Sequence, residues 1–425
     1  MPGPSLDHPI SKMCVYKGKL YVSYFGDSIV GMRSRFMASW DGTKWDTLGG
    51  INKELGSEPA CFTLHNNELF VGGSYVWNDL SERVFSWDGT KWNQTGGFAA
   101  GDDILDRIYA MQSYNGELYV GGQFTKVGGQ NCFNITKWNG SSWKSVSGGL
   151  TLNLPTVYSM AVYKGELYVA GVFSKAGTLP VNNIARWNGT QWDSLGSGVT
   201  GGAVGTLIVD TITNLLYVGG GFDNAGGQQA YGMAKWDGNT WSVPGYSTVL
   251  AGKALCMYHG QVYSGTGVVS YGSKTLRNIC NWDGNTWDDA GGGTDASVSD
   301  LAVYNDDLYV AGNFSEAGGV SGMNGLARYH TPLIVKESKE ERSFLKVYPN
   351  PAKGILNIEF ETGMKNSAKL KLYLFDHTGK EVLCQNLTIA KTQTINTAQL
   401  SKGVYIMKLL DENVVPIESK KIVIE

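Results

Sequence analysis

Asp102, Asp103, Asp106 and Arg107 fall on one short stretch of the chain. Neighbouring carboxylates of this kind can work as general acid and base, or offer oxygen ligands to calcium. The same composition also suits a plain solvated loop. The glycine and glutamate that a calcium loop needs at its sixth and twelfth places are missing, so no metal site is expected. A second candidate is Tyr75-Val76-Trp77-Asn78-Asp79. An indole at Trp77 can stack on a sugar ring while Tyr75 and Asp79 bond its hydroxyls; alternatively it caps the apolar edge of its own sheet.

Other chemistry has little footing. There is no phosphate loop, no Gly-x-Ser-x-Gly elbow and no His-Glu-x-x-His. His65 and His259 fall where other repeats carry Tyr16, Tyr114 and Tyr163, which makes them structural. The 6 Cys are scattered singly. Cys14 and Cys256 take one position in two repeats, held by Ala161 and Ala302 elsewhere, and so read as small buried thiols. No cofactor is expected.

The elements that must position these residues are set by a repeat. Trp-Asp-Gly-x-x-Trp, or its Asn variant, begins at Trp40, Trp87, Trp138, Trp187, Trp236 and Trp282, with spacings of 46 to 51 residues. These pairs take all but one of the 13 Trp; the remaining one is Trp77. A second landmark, as in Leu20-Tyr21-Val22 and Leu118-Tyr119-Val120, occurs seven times, the last at Leu308-Tyr309-Val310. In the repeat over 156–198, strands are predicted at 157–163, 166–173, 184–187 and 192–195, with a loop at 174–183. Four short strands per unit, punctuated by Gly and Asn turns, define a propeller blade. The 57 Gly and 12% aromatics agree with many strands and tight turns, and against a coiled coil. The seventh unit has Tyr329-His330 in place of Trp-Asp and lacks a recognisable fourth strand.

Double glycine followed by an aromatic pair resembles the kelch propellers and the central domain of galactose oxidase, over roughly residues 10 to 330. The histidines cannot be matched to that oxidase's copper site. The resemblance implies a fold and leaves the ligand open. In such a fold the loops after second strands share one face with the connections between blades; here they include 26–35, 75–83, 99–107, 125–134, 223–231 and 269–277.

The net charge of −3 divides into +3 over 343–425 and −6 over the first 330 residues, which gives nucleic acid no purchase. A charged linker is expected at 332–344. Residues 345–425 carry Tyr348-Pro349-Asn350-Pro351, a strand and turn ending at Gly379, then Gly403-Val404-Tyr405, and finally Lys420-Lys421. This series is similar to the C-terminal sorting domain of type IX secretion cargo, a Bacteroidetes family. The resemblance implies export, contact with the secretion machinery and a sorting protease, and a signal peptide that the sequence does not show. A precursor that starts earlier and also supplies a Trp-bearing strand to close the ring is one expectation; the segment 332–335 is the other.

The expected architecture is therefore all-β: a seven-bladed β-propeller of four-stranded blades over 1–331 and a C-terminal Ig-like β-sandwich. No apolar run is long enough for a membrane helix, and a monomer is expected. The leading functional expectation is a secreted or cell-surface, non-catalytic protein binding a polysaccharide or another protein. The alternative is a polysaccharide-degrading or -modifying enzyme built on the loop carboxylates.

Overall fold

A Trp pair flanking a two-sided turn specifies a hairpin, and six hairpins form on it. Trp40 pairs with Trp45 across two antiparallel strands, and Trp187 with Trp192 in the same register. The rings lie 5.0–5.4 Å apart and tilted in all six pairs. In each turn the residue after the first Trp accepts hydrogen bonds from the backbone two and three residues on, as Asp41 does from Thr43 and Lys44 at 2.8 Å. The following glycine takes a positive φ, 99° at Gly42 and 103° at Gly189, which a side chain would strain.

The computed structural model describes residues 6–48, 58–73, 83–96, 107–152, 154–243, 254–330, 345–360, 370–375, 381–387, 392–410 and 416–425. It divides into two compact units, Met1–Tyr329 and His330–Glu425. Among the described residues there is no helix. Among the described residues of the first unit are six four-stranded antiparallel sheets, a further sheet of three strands, Val298–Tyr304, Asp307–Gly312 and Leu326–Tyr329, and smaller two- and three-stranded sheets in the loops between them.

The first strand of each sheet packs on the first strand of the next, and the seventh, Val298–Tyr304, packs on the first, Ile10–Tyr16. The sheets thus form a closed circuit around their innermost strands. Glycine makes the close approach possible. A Cβ on Gly121 would overlap Met160 and Val157 of the next sheet. A Cβ on Gly122, Gly171, Gly220 or Gly312 would overlap a carbonyl oxygen of the bulged first strand alongside.

The junction of the seventh and first sheets repeats the bonds found at the others. Tyr16, Tyr114, Tyr163 and Tyr258 each donate a hydroxyl hydrogen bond to a turn carbonyl of the following sheet, at 2.6–3.2 Å. Tyr304 does the same across the junction, to Gly18 at 3.0 Å. Asn134 donates to the Leu150 carbonyl in the connection that follows its sheet, and Asn324 donates to that of Leu6. Ring closure thus needs no further strand for these contacts. The segment 332–335, the second of the expected closing strands, lies outside the described residues.

Two loop expectations are corrected. Residues 174–183 contain a small hairpin, Lys175–Ala176 with Leu179–Pro180, and equivalents recur in the first, third, fifth and seventh sheets. Residues 269–277 are no loop: Gln261–Tyr271 and Lys274–Trp282 form one long hairpin turning at Gly272. Its strands stay paired out to Tyr271 and Lys274 at the tip.

The second unit packs two sheets face to face. Leu345–Tyr348, Ile355–Phe360 and Thr392–Asn396 form one; Leu370–Phe375, Glu381–Leu387, Gly403–Leu410 and Pro416–Ile424 form the other. Leu356, Ile358 and Ile395 from one sheet meet Leu372, Leu374, Met407 and Ile422 from the other in a single apolar core.

Candidate functional site

The antiparallel meander gives the first unit two unlike faces. One collects the hairpin turns after first and third strands. The other collects the loops after second strands and the connections between sheets. The turn face is occupied by its own bonds. Besides the tyrosines, His65 is buried and its Nδ1 lies 2.9 Å from the Ser113 hydroxyl of the next sheet. Burial lowers its pKa, so it stays neutral there. His259 stands one place beyond the tyrosine position expected for it, which Tyr258 holds, and its Nε2 lies 3.0 Å from the Asp306 carboxylate. Lys17 and Lys164 reach the turn carbonyls of Asp88 and Asp237 in neighbouring sheets.

The connector face differs. Among the described residues of this unit, Phe25, Phe133, Leu152, Leu154, Val268 and Val320 are large, apolar and exposed, and all stand on that face. Met32 and Tyr158 join them, whereas among the described residues the opposite face exposes only Leu64. Phe25 is 75% exposed, Leu154 68% and Val268 65%. Isolated exposed apolar side chains are ordinary on any protein; their collection on one face is what marks a surface that another molecule covers.

An open cleft of about 410 Å³ lies on this face, lined by Phe25, Gly26, Asp27, Arg33, Arg35 and Phe36. The loop that forms it is braced from within. Ser34 is buried and donates to the Met37 carbonyl at 2.5 Å. The Phe36 N–H donates to Gly26 and the Ser34 N–H to Asp27, both at 3.0 Å. The Arg35 guanidinium stacks on Phe36, 4.7 Å from the ring centre.

Of the residues singled out from the sequence, Tyr75, Trp77, Asp79, Asp102, Asp103 and Asp106 lie outside the described residues. Arg107 opens an innermost strand, Arg107–Tyr114, and donates to the Tyr109 hydroxyl at 3.4 Å. Tyr109 in turn packs against Tyr158 of the next sheet, centroids 5.5 Å apart. Further round the same circuit, Asp300 accepts from the Met13 N–H at 2.7 Å, and Lys12 approaches it to 3.7 Å. Burial pushes the Asp300 carboxyl above its ordinary range, and it pushes the Cys14, Cys61 and Cys256 thiols up to about 12. No cysteine is in a disulfide. Among the described residues, no group of acidic, His and Cys side chains is placed to hold a metal.

Sequence reasoning passed over Phe25, Arg33 and Arg35 as individuals, although it counted 26–35 among the variable loops. Exposure of a lone Phe has no sequence signal; it follows from the fold around it.

In the second unit, Asn350 joins the Tyr348-Pro349-Asn350-Pro351 turn to the last strand. Its amide donates to the Lys421 carbonyl and its oxygen accepts from Val423 N–H, both at 2.8 Å. Ala352 then pairs with Val423 and Glu425. Tyr405 is buried, and its hydroxyl donates to Ser401 at 2.7 Å. Lys421 is exposed on the last strand and Lys420 half-buried. Gly403 begins its strand; Gly379 lies outside the described residues.

A ring of antiparallel sheets and a separate two-sheet unit define a β-propeller protein with an appended β-sandwich. Family comparison agrees at both places. Residues 346–425 match the secretion system C-terminal sorting domain, the tail of type IX cargo. Residues 115–139, which span the second and third strands of the third sheet, match the family described as "Domain of unknown function (DUF5122) beta-propeller". No curated protein matches the chain. The sorting tail indicates a secreted or cell-surface protein that engages the secretion machinery. No helix is long and apolar enough to cross a membrane among the described residues.

Proposed function

We propose that this chain is an exported, non-catalytic binding protein. Its first unit is read as a seven-bladed propeller of kelch type that holds an extracellular polysaccharide or protein on its connector face. Its second unit, read as an Ig-like sandwich, addresses it to type IX secretion in a Bacteroidetes-type cell. The observation that carries this reading is the gathering of exposed apolar side chains on the connector face, against Leu64 alone on the other among the described residues. A rigid ring suits that role, because ordered loops lose little entropy on binding.

Screening the full chain on an array of polysaccharides and cell-surface proteins, with a parallel assay for released reducing sugar, tests the reading. Binding without release is the expected result. Sugar release that disappears in Asp103→Asn would replace it with an enzyme.

A further inference from the structure

We propose that the cleft on the first sheet is a subsite for a carboxylate-bearing sugar, a uronic acid unit of an extracellular polysaccharide. The inference rests on the reading of the connector face as the binding face, and it names the ligand class that one part of that face selects.

Three observations carry it. The cleft brings two guanidinium groups, Arg33 and Arg35, to one opening of about 410 Å³. That volume falls in the range of about 300–1,000 Å³ typical of small-molecule sites. Arg35 is held against Phe36, so its planar fork is oriented before any ligand arrives. Arg33 is exposed and makes no ion pair among the described residues. Guanidinium groups match a carboxylate through paired N–H donors.

The second observation is Phe25, the most exposed large apolar side chain among the described residues of the unit, which stands at the cleft 6.2 Å from the Phe36 ring. An exposed aromatic face suits the C–H face of a pyranose ring. The third is Asp27 in the same lining. Its carboxylate can accept hydrogen bonds from sugar hydroxyls while the arginines bind an acid group. A uronic acid presents both groups on one ring.

The loop is built to keep this arrangement. The His8 ring lies where a Cβ on Gly26 would be, and it stacks parallel to Tyr24 at 6.1 Å. Asp7 accepts the Gly31 N–H at 2.9 Å. The turn at Val30 and Gly31 carries φ of 51° and 71°, a conformation that the third, fifth and seventh sheets give to glycine pairs. A β-branched residue there marks a locally strained turn beside the cleft.

The test is calorimetric titration of the full chain with trigalacturonate, its methyl ester and the neutral trigalactose. Binding of the acid alone is expected, weakened by salt, and reduced about tenfold or more in Arg33→Ala and in Phe25→Ala. Arg35→Lys, which keeps the charge but loses the fork, is expected to weaken it as well. Equal binding of the methyl ester, or unchanged binding in Arg33→Ala, overturns the subsite. So does failure to bind the acid. In that case array binding that is lost in Leu154→Ser leaves the connector face as the binding face, whereas absence of any array binding removes both readings.

Discussion

Asp41, Asp88, Asp237 and Asp283 share their turn position with Asn139 and Asn188, so the position needs an acceptor and not a charge. Asp41 and Asp88 accept backbone and Thr hydroxyl hydrogen bonds, which hold their carboxyls at about 2. Their pKa is depressed on folding, so their stabilisation is present above the ordinary value of 3.8 and is lost as the pH falls through about 2. Thermal melts between pH 5 and 2 are expected to fall less steeply for the Asp41→Asn, Asp88→Asn double variant than for the parent. An identical acid limb would show that these turns do not contribute. Trp192 is a larger matter: it is buried against its partner, and Trp192→Ala is expected to cost about 3–5 kcal/mol in urea unfolding. The roles of these residues were legible because recurrence separates scaffold from site. Phe25, Arg33 and Arg35 were not, since nothing in their spacing tells which side chains the fold leaves outside.

At the scale of the element, the four-strand unit was written plainly in the period of the Trp pairs and glycines. The small hairpins were not. Two-residue strands such as Lys126–Val127 and Gln130–Asn131 have no room for an alternating pattern. Their signal lay in a second recurrence: buried Phe124, Phe173, Phe222 and Phe314, each followed a few residues on by a glycine turn. The long hairpin ending at Tyr271 was missed for the opposite reason, because its polar tip has the composition of a loop. Gly171 tests the packing of the unit directly. Its missing Cβ makes room for the Thr156 carbonyl, so Gly171→Ala is expected to lose roughly 1–3 kcal/mol in urea unfolding. Gly165→Ala, at a turn with open space around it and a φ of 78°, measures by contrast the cost of a positive φ without a clash. In the sandwich, Asn350→Ala removes both bonds to the last strand. It is expected to cost about 1–3 kcal/mol and to reduce export in a secretion assay.

For the whole molecule, the seventh sheet meets the first through contacts of the same kinds as its neighbours use. One of them differs only in chemistry. Ser159 accepts the Leu207 N–H at 3.0 Å, and at the corresponding place on the seventh sheet Asp300 accepts that of Met13. Burial holds the Asp300 carboxyl above its ordinary value, so its ionisation weighs against folding as the pH rises. Asp300→Ser keeps an acceptor without that cost, and it is expected to leave stability within about 1 kcal/mol of the parent in urea. Asp300→Leu, with no acceptor, is expected to lose more. The gathering of Phe25, Phe133, Leu154, Val268 and Val320 on one face belongs to this scale alone. They are scattered over some 300 residues of sequence, and only the ring brings them to one side.

That face is the centre of the account, and one comparison tests it most directly. The full chain, the Phe25→Ser, Leu154→Ser, Val268→Ser triple variant and a Leu64→Ser control are measured side by side on the array of polysaccharides and cell-surface proteins. The triple variant is expected to lose binding while the control, changed on the opposite face, keeps it. Binding that survives the triple variant and disappears with Leu64→Ser would contradict that expectation.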